Sequence, residues 1–176
     1  MLQGVPHAFL INKSFRTKGV SVLISEKVLY YLALHLKLAT PANFSQLVEV
    51  FAYENPIVPS HHTLRPRPSS PLLVYQFHNL FSQERLFVFA ASLKFSGLSA
   101  PKSLGELFAT STWLEREVGE MHGVCFGGKR DLRNLMLQYG DASAPFRKSY
   151  PPIGLKEIFF DSVTDTLIQV PVSTQI

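Results

Sequence analysis

Residues 113–123 (WLEREVGEMHG) carry a helix start, a charged face, an apolar face and a glycine stop in one short run. Thr112 and Glu115 have the spacing of a capping box, in which the hydroxyl takes an orphan amide and the carboxylate reaches back to the cap amide. Leu114, Val118 and Met121 recur at intervals of four and three and so share a face. Arg116 and Glu120 are four apart and can pair along the helix. Gly123 tolerates the left-handed conformation that ends a helix. The segment predicts a helix over 113–122 whose apolar side needs a surface to cover it. Its acids, Glu115, Glu117 and Glu120, invite comparison with a catalytic carboxylate cluster. Acid–base chemistry needs carboxylates in unlike environments facing one bond, and acids on one helix beside Arg116 offer no such contrast. A solvated or partner-facing helix side is the preferred reading.

The rest of the chain divides around this helix. Residues 1–20, with Gly4, Pro6 and Gly19, read as an irregular extension. From Ser21 the apolar residues Leu23, Ile24, Val28, Tyr31, Leu32 and Leu36 fit one helix, closed by Pro41. Residues 44–53 alternate in part and predict a strand. Residues 54–71 hold Pro56, Pro59, Pro66, Pro68 and Pro71 and read as a loop. Residues 72–81 and 86–95 are β-favouring runs joined by a polar link at 82–85, which predicts an antiparallel hairpin. Ser103 is placed to cap a short helix through Leu107 and Phe108. Beyond Gly140, the residues Pro145, Pro151, Pro152 and Gly154 punctuate a segment with few helix signals. The apolar residues from Ile153 to Ile176 exceed what so short a stretch can bury by itself. An arm over residues 141–176 lying on another protein is one reading, because large exposed apolar patches mark interaction sites. A further strand at 155–161 pairing back on the sheet is the other. The expected architecture is α+β: a mixed or antiparallel sheet with flanking helices over 21–140, followed by the arm.

Composition narrows the function classes. The 46% hydrophobic fraction and 14 phenylalanines suffice for a packed core. The charge of +4 is uneven, since Glu26 is the sole acid before Glu49 while Lys13, Arg16, Lys18, Lys27 and Lys37 precede it. Such a balance suits nucleic acid, anionic lipid or an acidic protein. Cys125 is the single cysteine, so neither an internal disulfide nor a cluster held by several thiolates of this chain is expected. The most apolar run, 20–38, carries Glu26, Lys27, His35 and Lys37, and no stretch reaches the roughly 20 apolar residues of a spanning helix. The acid-poor start has the flavour of an organelle transit peptide. Met1 is retained, however, which implies synthesis within the organelle for a mitochondrial protein and is equally compatible with a bacterial one.

Three motifs look like chemistry. Residues 123–129 match the opening of a phosphate-binding loop. Arg130 then stands where a magnesium-binding hydroxyl belongs, and a helix rather than a strand precedes the run. His122 with Cys125, or His61 with His62, lack the paired spacing of a zinc site, and Cys125 reads as a small buried hydrophobe. Arg65 and Arg67 form a basic proline-rich stretch. The hairpin aromatics Tyr75, Phe77, Phe87 and Phe89 have few basic neighbours of the kind that nucleic-acid readers use.

The Trp113-Leu114-Glu115-Arg116-Glu117 run continues in order through Glu120-Met121, Gly123, Asp131-Leu132-Arg133, Tyr139-Gly140, Pro145-Phe146-Arg147-Lys148 and Pro152-Ile153-Gly154. In this the chain resembles the thirty-kilodalton subunit of respiratory complex I, a family with mitochondrial and bacterial members. The resemblance implies a non-redox structural or assembly subunit in the peripheral arm of an NADH:ubiquinone oxidoreductase. Catalytic, cofactor-binding and metal-binding residues are not expected here; FMN, iron–sulfur clusters and quinone belong to other subunits. The implied partners are the large quinone-site subunit, of the forty-nine-kilodalton type, and the small iron–sulfur subunit. The implied location is the matrix side of the mitochondrial inner membrane, or the cytoplasmic side of a bacterial plasma membrane. It further implies structural or interface roles for Glu115, Arg116, Glu117, Glu120, Asp131, Arg133, Arg147 and Lys148. The chain departs from the family pattern at Glu120, usually Asp, and His122, usually Phe. Lys129-Arg130 replace His-Pro, Asn134 replaces Arg and Gln138 replaces Asp. Two other readings remain: a basic organellar RNA- or ribosome-binding protein, and a small nucleotide-binding enzyme using residues 123–129.

Overall fold

A computed structural model describes residues 12–16, 19–39, 43–54, 71–91, 100–141 and 143–173. A mixed five-stranded sheet forms the body, built from β1 (Asn12–Arg16), β2 (Gly19–Ser25), β3 (Gln46–Glu54), β4 (Pro71–Asn79) and β5 (Glu84–Ala91) in the order β1-β2-β5-β4-β3. β2 and β5 run parallel, and every other neighbouring pair is antiparallel. A 3-10 turn, Glu26–Val28, leads from β2 into α1 (Leu29–Leu38), which carries the chain across the sheet to the outer strand β3.

The start of the chain differs from its sequence reading. The segment expected to be irregular contributes β1 and the first residues of β2, and Ser21 lies in a strand rather than a helix. Val20, Val22 and Ile24 are buried while Ser21, Leu23 and Ser25 between them are less so. This is period two with branched residues on the buried side, which favours the pleat. Spacings of three and four through Leu23, Ile24 and Val28 coexist with it over a window too short to separate the periods. The helical period takes over at Leu29, and Leu29, Leu32, Ala33 and Leu36 all face the sheet.

The central hairpin forms as expected with its turn two residues earlier. Asn79 Oδ1 accepts the amides of Phe81 (2.9 Å) and Ser82 (3.3 Å), and Gln83 adopts φ +55°, so the turn is set at 80–83. An Asx side chain bonded to its own following amides competes with the ladder and ends the strand there. Residues 92–95 of the expected second strand, the proline loop at 55–70 and the pairs His61–His62 and Arg65–Arg67 lie outside the described residues.

The main hydrophobic core occupies one face of the sheet. Ile24, Leu73, Tyr75, Phe77 and Val88 meet α1 there, with Leu104, Phe108, Val118 and Phe126 from the second half of the chain. The short helix expected after Ser103 does not form. Residues 105–110 make hydrogen-bonded turns, and the Ser103 hydroxyl accepts the Gly105 amide.

The C-terminal segment is neither a wholly extended arm nor an added strand of the main sheet. β6 (Lys156–Asp161) and β7 (Thr166–Pro171) pair with each other as a separate two-stranded sheet. Its turn repeats the device of the central hairpin: Asp161 Oδ1 accepts the Val163 amide at 3.0 Å, and Asp165 has φ +54°.

The burial of Ile24 in the core has a direct test. Ile24 is fully buried, so Ile24→Ala removes packed volume and leaves a cavity. A loss of roughly 2–5 kcal/mol in urea unfolding is expected; a change within about 0.5 kcal/mol would place the residue on the surface.

Candidate functional site: an anchored loop on the signature helix

α2 spans Ser111–His122 and lies beside β3. Its C-cap, Gly123, takes φ +68°, as the glycine stop requires. The expected capping box is absent: Thr110 occupies the N-cap without a side-chain cap bond, and Glu115 points inward.

Glu115 is 1% exposed, which overturns its placement on a solvated or partner-facing side. Its Oε2 accepts the Ser103 hydroxyl at 2.6 Å and faces Lys129 Nζ at 3.2 Å, while Oε1 accepts the Leu104 amide at 2.8 Å. Lys129 Nζ also donates to the Thr112 carbonyl at 2.9 Å. The lysine that a phosphate loop would present is thus committed within the protein, its side chain only 5% exposed. A buried carboxylate is costly unless paired and hydrogen-bonded, and here both conditions are met. Tyr75, packed nearby, has its phenol pKa raised by burial and by the charges of Glu115 and Glu26, so it stays protonated.

Arg116 and Glu120 work together, although not as the expected pair along the helix. Arg116 Nε donates to the Arg133 carbonyl (2.8 Å) and Nη2 to the Asn134 carbonyl (3.0 Å), and Nη1 faces Asp131 at 3.5 Å. Glu120 accepts three successive amides, from Leu135, Met136 (2.8 Å) and Leu137 (3.0 Å). Desolvation pushes the Glu120 carboxyl upward; the amides of Met136, Leu137 and Leu135, with Arg116, outweigh it and hold the pKa below the ordinary value. Asp131 grips Arg133 at 2.8 Å through Nη2 and also accepts its amide at 3.1 Å. That hydrogen-bonded guanidinium holds the Asp131 carboxyl well below the usual range.

Residues 131–138 have no regular structure, yet one helix face secures both their carbonyls and their amides. Leu132 and Met136 in the loop and Tyr139 just beyond it are exposed, as is Trp113 on the helix. Hydrophobic side chains on a pre-ordered loop suit contact with another surface, because little entropy remains to be lost on docking.

Arg147 closes the far end of the helix. Its Nε donates to the His122 carbonyl at 2.8 Å and its Nη2 to the Gly123 carbonyl at 3.1 Å, a cation on the C-terminal carbonyls. A Cβ on Gly123 would come within 2.8 Å of the Arg147 Cζ, so the glycine supplies both the turn and the space. The Lys148 amide donates to Glu54 at 2.9 Å. Glu117 stands apart from these networks, on the side of α2 facing β3.

Cys125 is exposed rather than buried, in the irregular stretch after α2. Sequence reasoning missed Lys129, Ser103 and His122. Lys129 and Ser103 reach Glu115 from outside its helix, one from either side in the chain, at separations that no local period predicts. His122 is buried against Phe146 (ring centroids 5.5 Å), with Nδ1 unpartnered among the described residues. Burial lowers its pKa; Glu54 opposes that shift and Arg147 reinforces it.

A family model described as "Respiratory-chain NADH dehydrogenase, 30 Kd subunit" matches residues 22–155. The chain belongs to this family. Among its relatives, the NADH-quinone oxidoreductase C subunit from Cereibacter sphaeroides is 29% identical over 129 residues, which cover 73% of this chain and 58% of that protein. NADH-ubiquinone oxidoreductase subunit 9 of Paramecium primaurelia is 31% identical over 129 residues, covering 72% and 59%. The chain therefore spans about three-fifths of the length of these relatives. The solved trypsin-resistant fragment (1-134) of Nqo5 has the same fold, with a TM-score of 0.55 at 20% identity, over 69% of this chain and 89% of that one. The mixed sheet with two helices agrees with the α+β expectation and with this neighbour.

Two measurements test the site. Glu115→Ala leaves Lys129 buried without its counter-charge and is expected to cost about 3–5 kcal/mol, while Glu115→Leu combined with Lys129→Met recovers most of that loss. Urea unfolding decides; equal midpoints for wild type and Glu115→Ala would sink the assignment. The second uses His122. The unfolded imidazole titrates near 6.5 and the folded one lower, so the unfolded chain takes up the proton first. Stability from this group is complete above about pH 6.5 and declines as pH falls through that value toward the folded pKa. His122→Phe should flatten the fall in unfolding free energy between roughly pH 7.5 and 5.5; an unchanged slope would show that the imidazole is solvated in the folded chain.

Proposed function

We propose that this chain is a non-redox docking subunit in the peripheral arm of an NADH:quinone oxidoreductase. It holds the large quinone-site subunit, of the forty-nine-kilodalton type, and the small iron–sulfur subunit in register. Electron transfer from NADH to quinone, coupled to proton translocation, runs through FMN, iron–sulfur clusters and quinone carried by other subunits. The setting is the matrix side of the mitochondrial inner membrane, or the cytoplasmic side of a bacterial plasma membrane. Among the described residues, no helix is long and apolar enough to cross a membrane, so attachment through protein neighbours fits the reading.

The observation that carries the proposal is the β6–β7 hairpin. Phe160 and Leu167 face one another across the ladder, and Phe159 faces Ile168 on the opposite side. Both faces are apolar, and Ile158 and Phe160 are more than half exposed. An isolated two-stranded sheet is marginal in water, and apolar groups on both of its faces call for a covering surface. The anchored loop at 131–140 adds a second contact patch.

Phe160→Lys with Leu167→Lys tests this in the full-length chain. The core should unfold at the wild-type urea midpoint, because among the described residues the main core includes none from the hairpin. Incorporation into the oxidoreductase, read by native gel and by quinone-dependent NADH oxidation in membranes, should drop at least tenfold. Undiminished incorporation would refute the docking role.

A further inference from the structure

Between the outer strand β3 and α2 runs a groove of about 380 Å³. Part of its lining is apolar: Val50 and Ala52 from the strand, Val118 and Met121 from the helix, and Phe146. Its rim is acidic. Glu49, Glu54 and Glu117 line it against the ammonium of Lys148 and the imidazole of His122, a local excess of acid on a chain whose net charge is +4. Glu54 already accepts the Lys148 amide, leaving Glu49 and Glu117 at the opening.

The strand itself is half used. β3 has β4 on one side only, so the main-chain groups on its other side have no strand partner among the described residues. At its start, Thr110 Oγ1 donates to the Leu47 carbonyl at 3.1 Å, and a bulge lies between Leu47 and Glu49. Beyond that point no other strand covers the edge among the described residues, and Phe51 and Tyr53 are each almost two-fifths exposed. A sheet edge of this kind is a template for one more strand.

We propose that this groove takes an extended, cationic segment of a neighbouring subunit. The segment's main chain runs along β3, one aliphatic or aromatic side chain enters the groove, and a lysine or arginine faces Glu49 and Glu117. Main-chain pairing supplies affinity in such strand addition, and the alternate side chains supply choice of partner. The acidic rim decides the occupant. Phosphate-bearing ligands are repelled. A second copy pairing edge to edge would bring its own Glu49, Glu54 and Glu117 against the same three acids, which is unfavourable. The proposal rests on the reading that the chain works within an assembly, and its test is independent of that reading.

The isolated full-length chain is titrated with two fluorescein-labelled nonapeptides of identical apolar pattern, one with lysine and the other with glutamate at its polar positions, read by fluorescence anisotropy. The lysine peptide is expected to bind at least tenfold more tightly. Its binding should weaken at least tenfold in Glu49→Lys with Glu117→Lys, which sit at the surface and should leave the unfolding midpoint in place. Met121→Trp, which fills the groove, should weaken it with the rim charges intact. Equal binding of both peptides, no binding of the lysine peptide, or indifference to the charge reversal overturns the proposal. So does self-association abolished by that reversal, which would assign the groove to a second copy. The hairpin variant described above retains this peptide binding, so failure to assemble and failure of the groove are read separately.

Discussion

The carboxylate of Glu115 ties together parts of the chain that have almost no regular structure of their own. Residues 100–110 and 123–141 contain turns and share one isolated bridge, Lys102 with Gly127, and α2 is the one helix between them. Polypeptide in this state has amides and carbonyls to satisfy and few local means of doing so. One buried side chain joins the amide of Leu104, the hydroxyl of Ser103 and the ammonium of Lys129. The Gly127 amide and the Ser103 amide then lock the flanking segments to each other. Burying an acid in this way stabilises the fold only while every partner is in place, and that requirement enforces a single arrangement.

From that anchor the helix divides its labour by face. Val118 enters the sheet core, Arg116 and Glu120 grip residues 131–137, and Leu114, Glu117 and Met121 border the groove beside β3. The same short sequence thus supplies packing, loop positioning and an open surface. Loop residues held at both their amides and their carbonyls behave as a rigid element despite lacking helix or strand, which lets Leu132, Met136 and Tyr139 remain apolar and exposed.

The surfaces left open share a physical character. Among the described residues, the β6–β7 sheet has one exposed face and one half-covered face, and β3 has one edge without a strand beside it. Each would be a liability in a chain that works alone. On the docking role proposed above, they are places where other chains would complete the structure. The acidic groove and the apolar hairpin differ enough in chemistry to take different partners.

Much of the fold was legible in the residues themselves. The central hairpin, the strand at β3, the apolar stripe and glycine stop of α2, and the excess of apolar residues near the C-terminus all follow from short-range pattern, because strand and helix periods and turn chemistry are local properties. The family resemblance likewise rests on residues close together in the chain. Local pattern misled where two periods overlapped at Ser21–Val28 and where a capping spacing disguised a buried acid at Glu115. The latter is the sharper lesson. Thr112 and Glu115 have the right separation for a cap, and only the arrival of Ser103, Leu104 and Lys129 from elsewhere pulls the carboxylate inward. The sequence by itself determined the three strands β3, β4 and β5 and the signature helix, and that this chain carries more apolar surface than it can hide. The tertiary structure alone decided which charges became internal ties and which stayed at the surface, because a side chain's charge is worth little or much according to partners that fold in from distant positions.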